Sequence, residues 1–248
     1  MNAVRESRQC EYTVKNYESD FRKEIKPSAL LGYFQEIAGE HAGEIGLGFQ
    51  ALREKGYFWV LSKIYVEVLN RPKFEDRVVV ETWPHAPNKA ICERSSRVSG
   101  ADGQVGVRAF SRRCVLEVGR ERIVPSSRLE SSLKTYRAEP AVAWDDWRIP
   151  EASGKGVPAF SLRIANSEYD LNYHVNNCKY ADYVFNCFTV AELEARRLRS
   201  FQMNYVHQSH EGDCLDFYRS GDGEGGFVIE GIKNGAETVV AARVRFDD

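Results

Sequence analysis

Apolar residues recur at helical spacing in one segment near the start of the chain. In SALLGYFQEIAGEHAGEIG the apolar positions follow one another in steps of three and four, which places them on one stripe of a helix. They are Leu30, Tyr33, Phe34, Ile37 and Ala38. Pro27 suits a first helical turn, where its missing N–H has no intrahelical partner to lose. The pattern predicts a helix that begins at Pro27 and ends before Gly46 and Gly48.

Long segments rich in β-branched and aromatic residues follow this helix. They read FWVLSKIYVEVL, DRVVVETW, KAICERSSRV and VGVRAFSRRCVLEV, and Asn, Pro and Gly separate them. A short strand is also predicted before the helix, from Val14 to Asp20. One helix followed by a run of antiparallel strands is an α+β pattern. It does not fit the strand-turn-helix unit that a dinucleotide-binding motif would need at Gly46 and Gly48.

The second half of the chain repeats the first. When Asp20 is placed over Asp170, the segments VKNYESD and IANSEYD align, and Tyr33 falls on Tyr183. A second helix is predicted from Asn177 through KYADYVFNCFTVAELEARRL, followed by the strands FQMNYVH, CLDFYRS, GFVIEGI and ETVVAARVRF. Such a repeat predicts two similar domains, 1–127 and 157–248, joined by a linker over 128–156. The linker contains Trp and Ile residues, so part of it is expected to pack.

Composition narrows the possible partners. The chain has 34 basic and 36 acidic residues, a balance that does not suggest a nucleic-acid-binding protein. It holds no apolar run of the roughly 18 to 20 residues that a membrane span requires, and it begins with a polar segment. We therefore expect no membrane span and a cytoplasmic location. The 6 cysteines form no CxxC pair, so neither a metal nor another cofactor is expected.

One segment resembles a known family. SEYDLNYHVNNCKYADY, at the predicted start of the second helix, is similar to the second repeat of the acyl-acyl carrier protein thioesterases of plants and bacteria, with their Asp-x-Asn-x-His-Val-Asn-Asn-x-x-Tyr signature. The first half also resembles that family, in YESD, ALLGYFQEIAGEHAGEIGLGFQALREKGYFWVLSKIYVEV and RPKFEDRVVVETWP. The signature residues here are Asp170, Asn172, His174, Val175, Asn176, Asn177 and Tyr180.

The resemblance implies a fold and an activity. The implied fold is a tandem hotdog, in which each half wraps an antiparallel sheet around a central helix. The implied reaction is hydrolysis of a fatty acyl thioester of acyl carrier protein, which yields a free fatty acid and the carrier thiol. The resemblance further implies that residues 157–248 carry the chemistry, while residues 1–127 help to house the acyl chain.

Hydrolysis of a thioester needs an activated water or a nucleophile, and donors that stabilise charge on the carbonyl oxygen. Asp170, Asn172 and His174 follow in steps of two, which would place them on one face of an extended segment. We expect Asp170 to act as the base or as a direct nucleophile, with Asn172 and His174 orienting water and thioester. Backbone amides at the helix start, from Val175 through Asn176 to Asn177, are expected to bind the carbonyl oxygen. Asp and Asn before a helix are also common caps, so the residues alone leave both roles open.

One position departs from the family pattern. The family commonly carries Glu in a Tyr-x-x-Glu context after the second helix, where this chain has Gln208, three residues after Tyr205. A glutamine can hydrogen-bond water or Asn172 but cannot take a proton. Two nearby histidines, His207 and His210, are predicted to lie on opposite faces of a strand, as surface or edge residues.

Other functions stay open on the sequence. The same chemistry would serve an acyl-CoA thioesterase, because the sequence does not reveal the thiol carrier. Gln208 favours a non-catalytic module that binds acyl thioesters through a weakened site. A hotdog dehydratase ranks below these readings, because such enzymes arrange His and carboxylate differently. A tandem repeat already supplies two paired halves, so either a monomer or a homodimer is expected.

Overall fold

A computed structural model describes residues 6–133, 135–152 and 156–247 of the chain. The chain divides into two compact units. The first unit comprises Leu69–Trp144 and the chain before Tyr65, and the second comprises Tyr65–Val68 and the chain from Asp145 onward. Residues 134 and 153–155, which belong to the predicted linker, lie outside the described residues.

The first unit contains two α-helices, two 3-10 helices (Asn16–Glu18 and Ser126–Arg128) and an antiparallel sheet. The α-helices are α1 (Pro27–Glu44) and α2 (Phe49–Glu54). The strands are β1 (Arg8–Thr13), β2 (Tyr57–Val68), β3 (Arg77–Pro84), β4 (Cys92–Gly100), β5 (Val105–Glu117) and β6 (Ile123–Val124). They run in the order β1-β3-β4-β5-β2, and β6 pairs with β5. The last residues of β2, Tyr65–Val68, are counted in the second unit. The predicted helix and the four predicted strands that follow it are confirmed, whereas the short α2 was not predicted.

Helix α1 lies against strands β1 and β3. Its apolar stripe is buried there, as the spacing of those residues predicts; Leu30 and Ile37 are fully buried and Phe34 is nearly so. Burying side chains of this size contributes about 1.5–3 kcal/mol each.

The strand predicted from Val14 to Asp20 is wrong. Strand β1 ends at Thr13, and the next segment forms a short 3-10 helix, Asn16–Glu18. The backbone N–H of Lys15 donates to the Glu18 carboxylate at 2.7 Å. This local bond offers the backbone an alternative to strand pairing, which apolar periodicity does not detect.

The second unit has the same architecture. Its helices are α3 (Asn177–Phe185) and α4 (Val190–Glu194). Its strands are β7 (Phe160–Arg163), β8 (Arg197–Tyr205), β9 (Cys214–Gly221), β10 (Phe227–Lys233) and β11 (Glu237–Asp247). They run in the order β8-β11-β10-β9-β7, and all their pairings are antiparallel. Helix α3 packs on this sheet through Tyr183, whose ring centroid lies 5.8 Å from that of Phe217 on β9.

The single long helix predicted from Asn177 to Leu198 is wrong. Helix α3 ends at Phe185, and α4 begins after Thr189. The Thr189 hydroxyl accepts the backbone N–H of Glu192 at 3.2 Å, while the Glu192 carboxylate accepts the backbone N–H of Thr189 at 2.8 Å. This capping box starts a new helix inside a segment whose apolar spacing is continuous.

Part of the predicted linker packs, as expected. Trp147 is buried, and its backbone carbonyl accepts a hydrogen bond from the Asn204 side chain at 2.8 Å. In the first unit, the indole N–H of Trp83 donates to the Glu139 carbonyl at 3.0 Å. Among the described helices, none has the length and apolar character needed to cross a membrane.

Candidate active site

The residues Asp170 to His174 form a tight turn immediately before α3. The backbone N–H of Asp170 donates to the His174 carbonyl at 2.9 Å, and that of Tyr173 donates to the Asp170 carbonyl at 3.1 Å. Tyr173 has a φ of 63°, and the Asp170 carboxylate accepts the backbone N–H of Asn172 at 2.7 Å. The backbone is therefore not extended here, because the Asp side chain closes an Asx turn. The turn instead joins the backbones of Asp170 and His174 at its two ends.

The start of α3 supplies backbone donors beside this turn. Asn176 is the N-cap, and its side-chain oxygen accepts the backbone N–H of Cys178 at 2.8 Å. The N–H of Asn176 itself donates to the Glu168 carbonyl at 2.8 Å, so this amide has an internal partner, unlike the unpaired amide expected from the sequence. Within the described residues, the N–H groups of Val175 and Asn177 have no hydrogen-bond acceptor.

Asn172 carries a buried polar atom with no partner. Its side-chain oxygen Oδ1 is inaccessible to solvent and accepts no hydrogen bond from the described residues. Leaving a buried polar group unsatisfied costs about 1–3 kcal/mol, so a hydrogen-bond donor that reached this oxygen would be bound favourably.

The first unit contains the same turn, 150 residues earlier in the chain. The backbone N–H of Asp20 donates to the Glu24 carbonyl at 2.8 Å, and that of Lys23, with φ of 60°, donates to the Asp20 carbonyl at 2.9 Å. The Asp20 carboxylate accepts the backbone N–H of Arg22 at 2.9 Å. Each bond has its counterpart in the turn from Asp170, so the structure confirms the predicted repeat at this point.

A second pair of equivalent loops lies beside the two turns. The backbone N–H of Lys73 donates to the Asp76 carboxylate at 2.7 Å, and that of His210 donates to the Asp213 carboxylate at 2.8 Å. The N–H groups of Asp76 and Asp213 donate back to the carbonyls of Lys73 and His210, at 3.0 and 3.1 Å. The loop after β2 therefore matches the loop after β8, 137 residues later, and Gln208 takes the place of Arg71.

Arg71 closes the turn of the first unit. Its guanidinium donates to the Asp20 carboxylate at 2.5 Å and lies 3.1 Å from the Glu24 carboxylate. The side chains of this ion pair are only 10% and 17% exposed. The sequence positions give the counterparts of these residues in the second unit. Asp170 corresponds to Asp20, His174 to Glu24 and Gln208 to Arg71. Three of the predicted site residues thus occupy sequence positions equivalent to those of the ion pair in the first unit.

A backbone amide is also treated differently in the two units. The N–H of Ile25 donates to the Pro72 carbonyl at 2.8 Å. The counterparts of Ile25 and Pro72 are Val175 and Ser209. Among the described residues, the Val175 N–H makes no hydrogen bond to the Ser209 carbonyl. Ser209 is fully buried and bonds through its hydroxyl to the Tyr180 hydroxyl at 2.9 Å. The turn of the second unit therefore leaves one more donor available.

His210 is a neighbour of the site that the sequence analysis missed. It lies in the loop between β8 and β9, not on a strand, and its ring centroid is 5.6 Å from that of His174. His207 is also in this loop, where its ring nitrogen Nδ1 contacts the Thr238 carbonyl at 2.9 Å. The matching spacing from Arg71 to Asp76 and from Gln208 to Asp213 is the signal that could have revealed His210.

Burial shifts the ionisation of several groups around the site. It raises the pKa of Tyr180 to about 12, so its hydroxyl stays neutral and can donate a hydrogen bond at physiological pH. Burial alone would raise the pKa of Asp213, but hydrogen bonds from the backbone of His210 and the side chain of Asn234 lower it overall.

The two units, each an antiparallel sheet around a central helix, define a tandem hotdog protein, as the resemblance implied. The family model described as acyl-ACP thioesterase N-terminal domain matches residues 6–126, and the one described as acyl-ACP thioesterase C-terminal domain matches residues 158–247. The chain therefore belongs to the acyl-ACP thioesterase family.

Solved structures and curated relatives agree with this membership. The acyl-ACP thioesterase of Bacteroides thetaiotaomicron superposes with a TM-score of 0.90 at 26% identity, over 98% of both chains. The oleoyl-acyl carrier protein thioesterase 2 of Arabidopsis thaliana is 22% identical over 83% of this chain and 60% of its own length. The palmitoyl-acyl carrier protein thioesterase of Gossypium hirsutum is 26% identical over 82% of this chain and 52% of its own length. The chain thus spans between half and three fifths of the length of these curated relatives.

Proposed function

We propose that the protein hydrolyses fatty acyl thioesters of acyl carrier protein, releasing a free fatty acid and the carrier thiol. The observation that carries this proposal is the difference between the two equivalent turns. Arg71 neutralises the acidic turn of the first unit, whereas the second presents Asp170, an unpartnered Asn172 oxygen and the Val175 amide. Membership of the acyl-ACP thioesterase family supports the choice of reaction.

In the proposed reaction Asp170 acts as the base. One oxygen of its carboxylate accepts a hydrogen bond from the backbone N–H of Asn172, which fixes the orientation of the carboxylate. The other oxygen is left to bind a water molecule. The water transfers a proton to this carboxylate and adds to the thioester carbonyl. The amides of Val175 and Asn177, at the positive end of α3, stabilise the resulting oxyanion. The carbonyl then reforms, the carbon–sulfur bond breaks, and the thiolate takes up the proton.

Asn172 and His174 orient the reactants in this scheme. The buried Asn172 oxygen would accept a hydrogen bond from the attacking water, and His174 would position the thioester from the far end of the turn. Gln208 would hydrogen-bond the same water, without serving as a base. The carrier substrate, the predicted monomeric or homodimeric state and the predicted cytoplasmic location stay predictions.

A thiol-release assay tests this function. Acyl thioesters of acyl carrier protein and of CoA, at several chain lengths, would be offered to the wild type and to Asp170→Asn, which keeps the oxygen that closes the turn. We expect kcat to fall about 100-fold or more if Asp170 is the base. Asp20→Asn is the matched control, because it makes the same change in the equivalent turn, and it should retain turnover. An Asp170→Asn protein that is folded and turns over within a few-fold of the wild type would refute the assignment.

The same assay separates the alternatives. Faster release from CoA thioesters would identify an acyl-CoA thioesterase. Gln208 favours a module that binds acyl thioesters without cleaving them, since it supplies no proton acceptor. Saturable binding of acylated carrier protein without thiol release by the wild type would support that second function and reject the first.

A further inference from the structure

His210 is held beside His174 by the backbone of its loop. Its N–H donates to the Asp213 carboxylate at 2.8 Å, and the N–H of Asp213 donates to the His210 carbonyl at 3.1 Å. The next amide, that of Glu211, donates to the Tyr169 hydroxyl at 2.7 Å, which ties the loop to the segment before the turn. The His210 ring is exposed and lies at 56° to the His174 ring, with centroids 5.6 Å apart. Two imidazoles therefore meet beside the turn, and the His210 ring is the exposed one of the pair.

The first unit shows what occupies these two positions in the closed turn. The counterparts of His174 and His210 are Glu24 and Lys73, and the backbones of Glu24 and Lys73 pair in a β-bridge. In the second unit both positions hold histidine, the side chain type whose unperturbed charge changes nearest to physiological pH. A carboxylate and an ammonium group in the first unit are thus replaced by two imidazoles in the second.

Other ionisable groups lie in the turn, in the loop that carries His210, or on segments that hydrogen-bond to them. They come from strand β7, from the segment before the turn, from the turn itself, from the loop that carries His210 and from strand β10. These groups are Arg163, Glu168, Asp170, Glu211, Asp213 and Lys233. Asp213 already receives two hydrogen bonds, and Lys233 donates to the Gln208 carbonyl at 3.1 Å. Position 208 adds no charge, because it is a glutamine.

We propose that His210 is a positioning residue of the candidate active site, whose charge sets the pH range over which His174 takes up a proton. The physical basis is repulsion between neighbouring imidazolium rings. Once one ring is charged, the second binds a proton less readily, so the two titrate as a coupled pair. The proposal rests on the proposed function only where it concerns catalysis. The coupling itself is a property of the folded protein.

Two variants of His210 give the decisive comparison. His210→Lys places the residue of the first unit, with a permanent charge, beside His174, and His210→Gln places a neutral side chain there. The His174 imidazole would be followed by NMR titration of its Cε1 proton. We expect its proton affinity to be about tenfold lower in His210→Lys than in His210→Gln, a separation of about one pH unit between the midpoints. The wild type should fall between them.

A control on the same loop tests whether position matters. His207→Lys adds the same charge at another position of the loop, where the wild-type ring contacts the Thr238 carbonyl. It should move the midpoint of the His174 titration by less than about 0.3 pH unit. In turnover assays the acid limb of kcat/KM should shift with the midpoint, and KM should stay within about twofold. Equal His174 midpoints in His210→Lys and His210→Gln would overturn the proposal. The NMR comparison decides it even if the wild type cleaves no thioester.

Discussion

The guanidinium of Arg71 lies 2.5 Å from the carboxylate of Asp20, while the equivalent positions of the second unit hold Gln208 and Asp170. The two turns share their backbone hydrogen bonds. The exchange of Arg for Gln therefore changes the side-chain chemistry and leaves the backbone conformation of the turn the same. In the first unit the carboxylate is neutralised by a mostly buried partner. In the second, the carboxylate remains available for the role that we assign to it.

Arg71→Gln places the residue of the second unit in the first. It leaves the partly buried Asp20 without its arginine partner and Glu24 with only the more distant Arg22, at 3.7 Å, so we expect the free energy of unfolding to fall by about 2–3 kcal/mol. Turnover per folded molecule should stay within about twofold, because the change lies outside the candidate active site. Urea denaturation and the thiol-release assay measure the two effects. A tenfold loss of kcat in the folded variant would show instead that the first turn takes part in the reaction.

Gln208→Arg makes the reverse exchange. An arginine at this position should pair with Asp170 as Arg71 pairs with Asp20, which would occupy the base and lower kcat about 100-fold. The melting temperature should be unchanged or raised, since a new ion pair forms. Gln208→Glu instead supplies the residue that the family commonly carries, and it should raise kcat by about tenfold. The scheme fails at this position if Gln208→Arg retains wild-type turnover.

Asn172→Ala separates stability from activity. The substitution removes a buried oxygen that has no partner, so the free energy of unfolding should not fall and should rise by up to about 1 kcal/mol. Because Asn172 is expected to hold the attacking water, kcat should fall by about 10- to 100-fold. Thermal unfolding and steady-state kinetics on one preparation test both parts. A loss of more than about 2 kcal/mol would mean that Asn172 supports the fold.

The pH dependence of stability can be tested at Glu192. The side chain of Arg219, 2.9 Å away, and the backbone of Thr189 lower the pKa of Glu192 from 4.5 to about 2. A carboxyl whose pKa is lower in the folded state stabilises the fold above its unfolded pKa, and the effect is lost as the pH falls towards 2. Glu192→Gln should therefore melt at a lower temperature than the wild type at pH 7, with the difference vanishing near pH 2. Glu194→Gln, an exposed carboxylate on the same helix, is the control and should show little difference at either pH.

The sequence predicts the large elements of this fold because their apolar spacing is regular. Helix α1 and the long strands follow from that spacing, and the repeat follows from the alignment of Asp20 with Asp170. The 3-10 helix at Asn16–Glu18 and the capping box at Thr189 escape prediction, since single side-chain bonds to the backbone create them. Apolar periodicity carries no signal for such bonds.

The candidate site is also only partly visible in the sequence. The family signature singles out Asp170, Asn172 and His174, but the turn that arranges them depends on an Asx bond and a left-handed Tyr173. The proximity of His210 depends on a loop that is distant in sequence from the turn. Their roles stay predictions until the variants are measured.

The matched turns have a consequence for how this fold can change over evolutionary time. A duplicated segment that retains its main-chain bonding and the aspartate that closes its turn can exchange the side chains around them and still fold. One copy can then acquire new chemistry while the other keeps an ion pair at the same place. Each side chain that differs in the turn of the second unit can therefore be compared with its counterpart in the first unit of the same molecule.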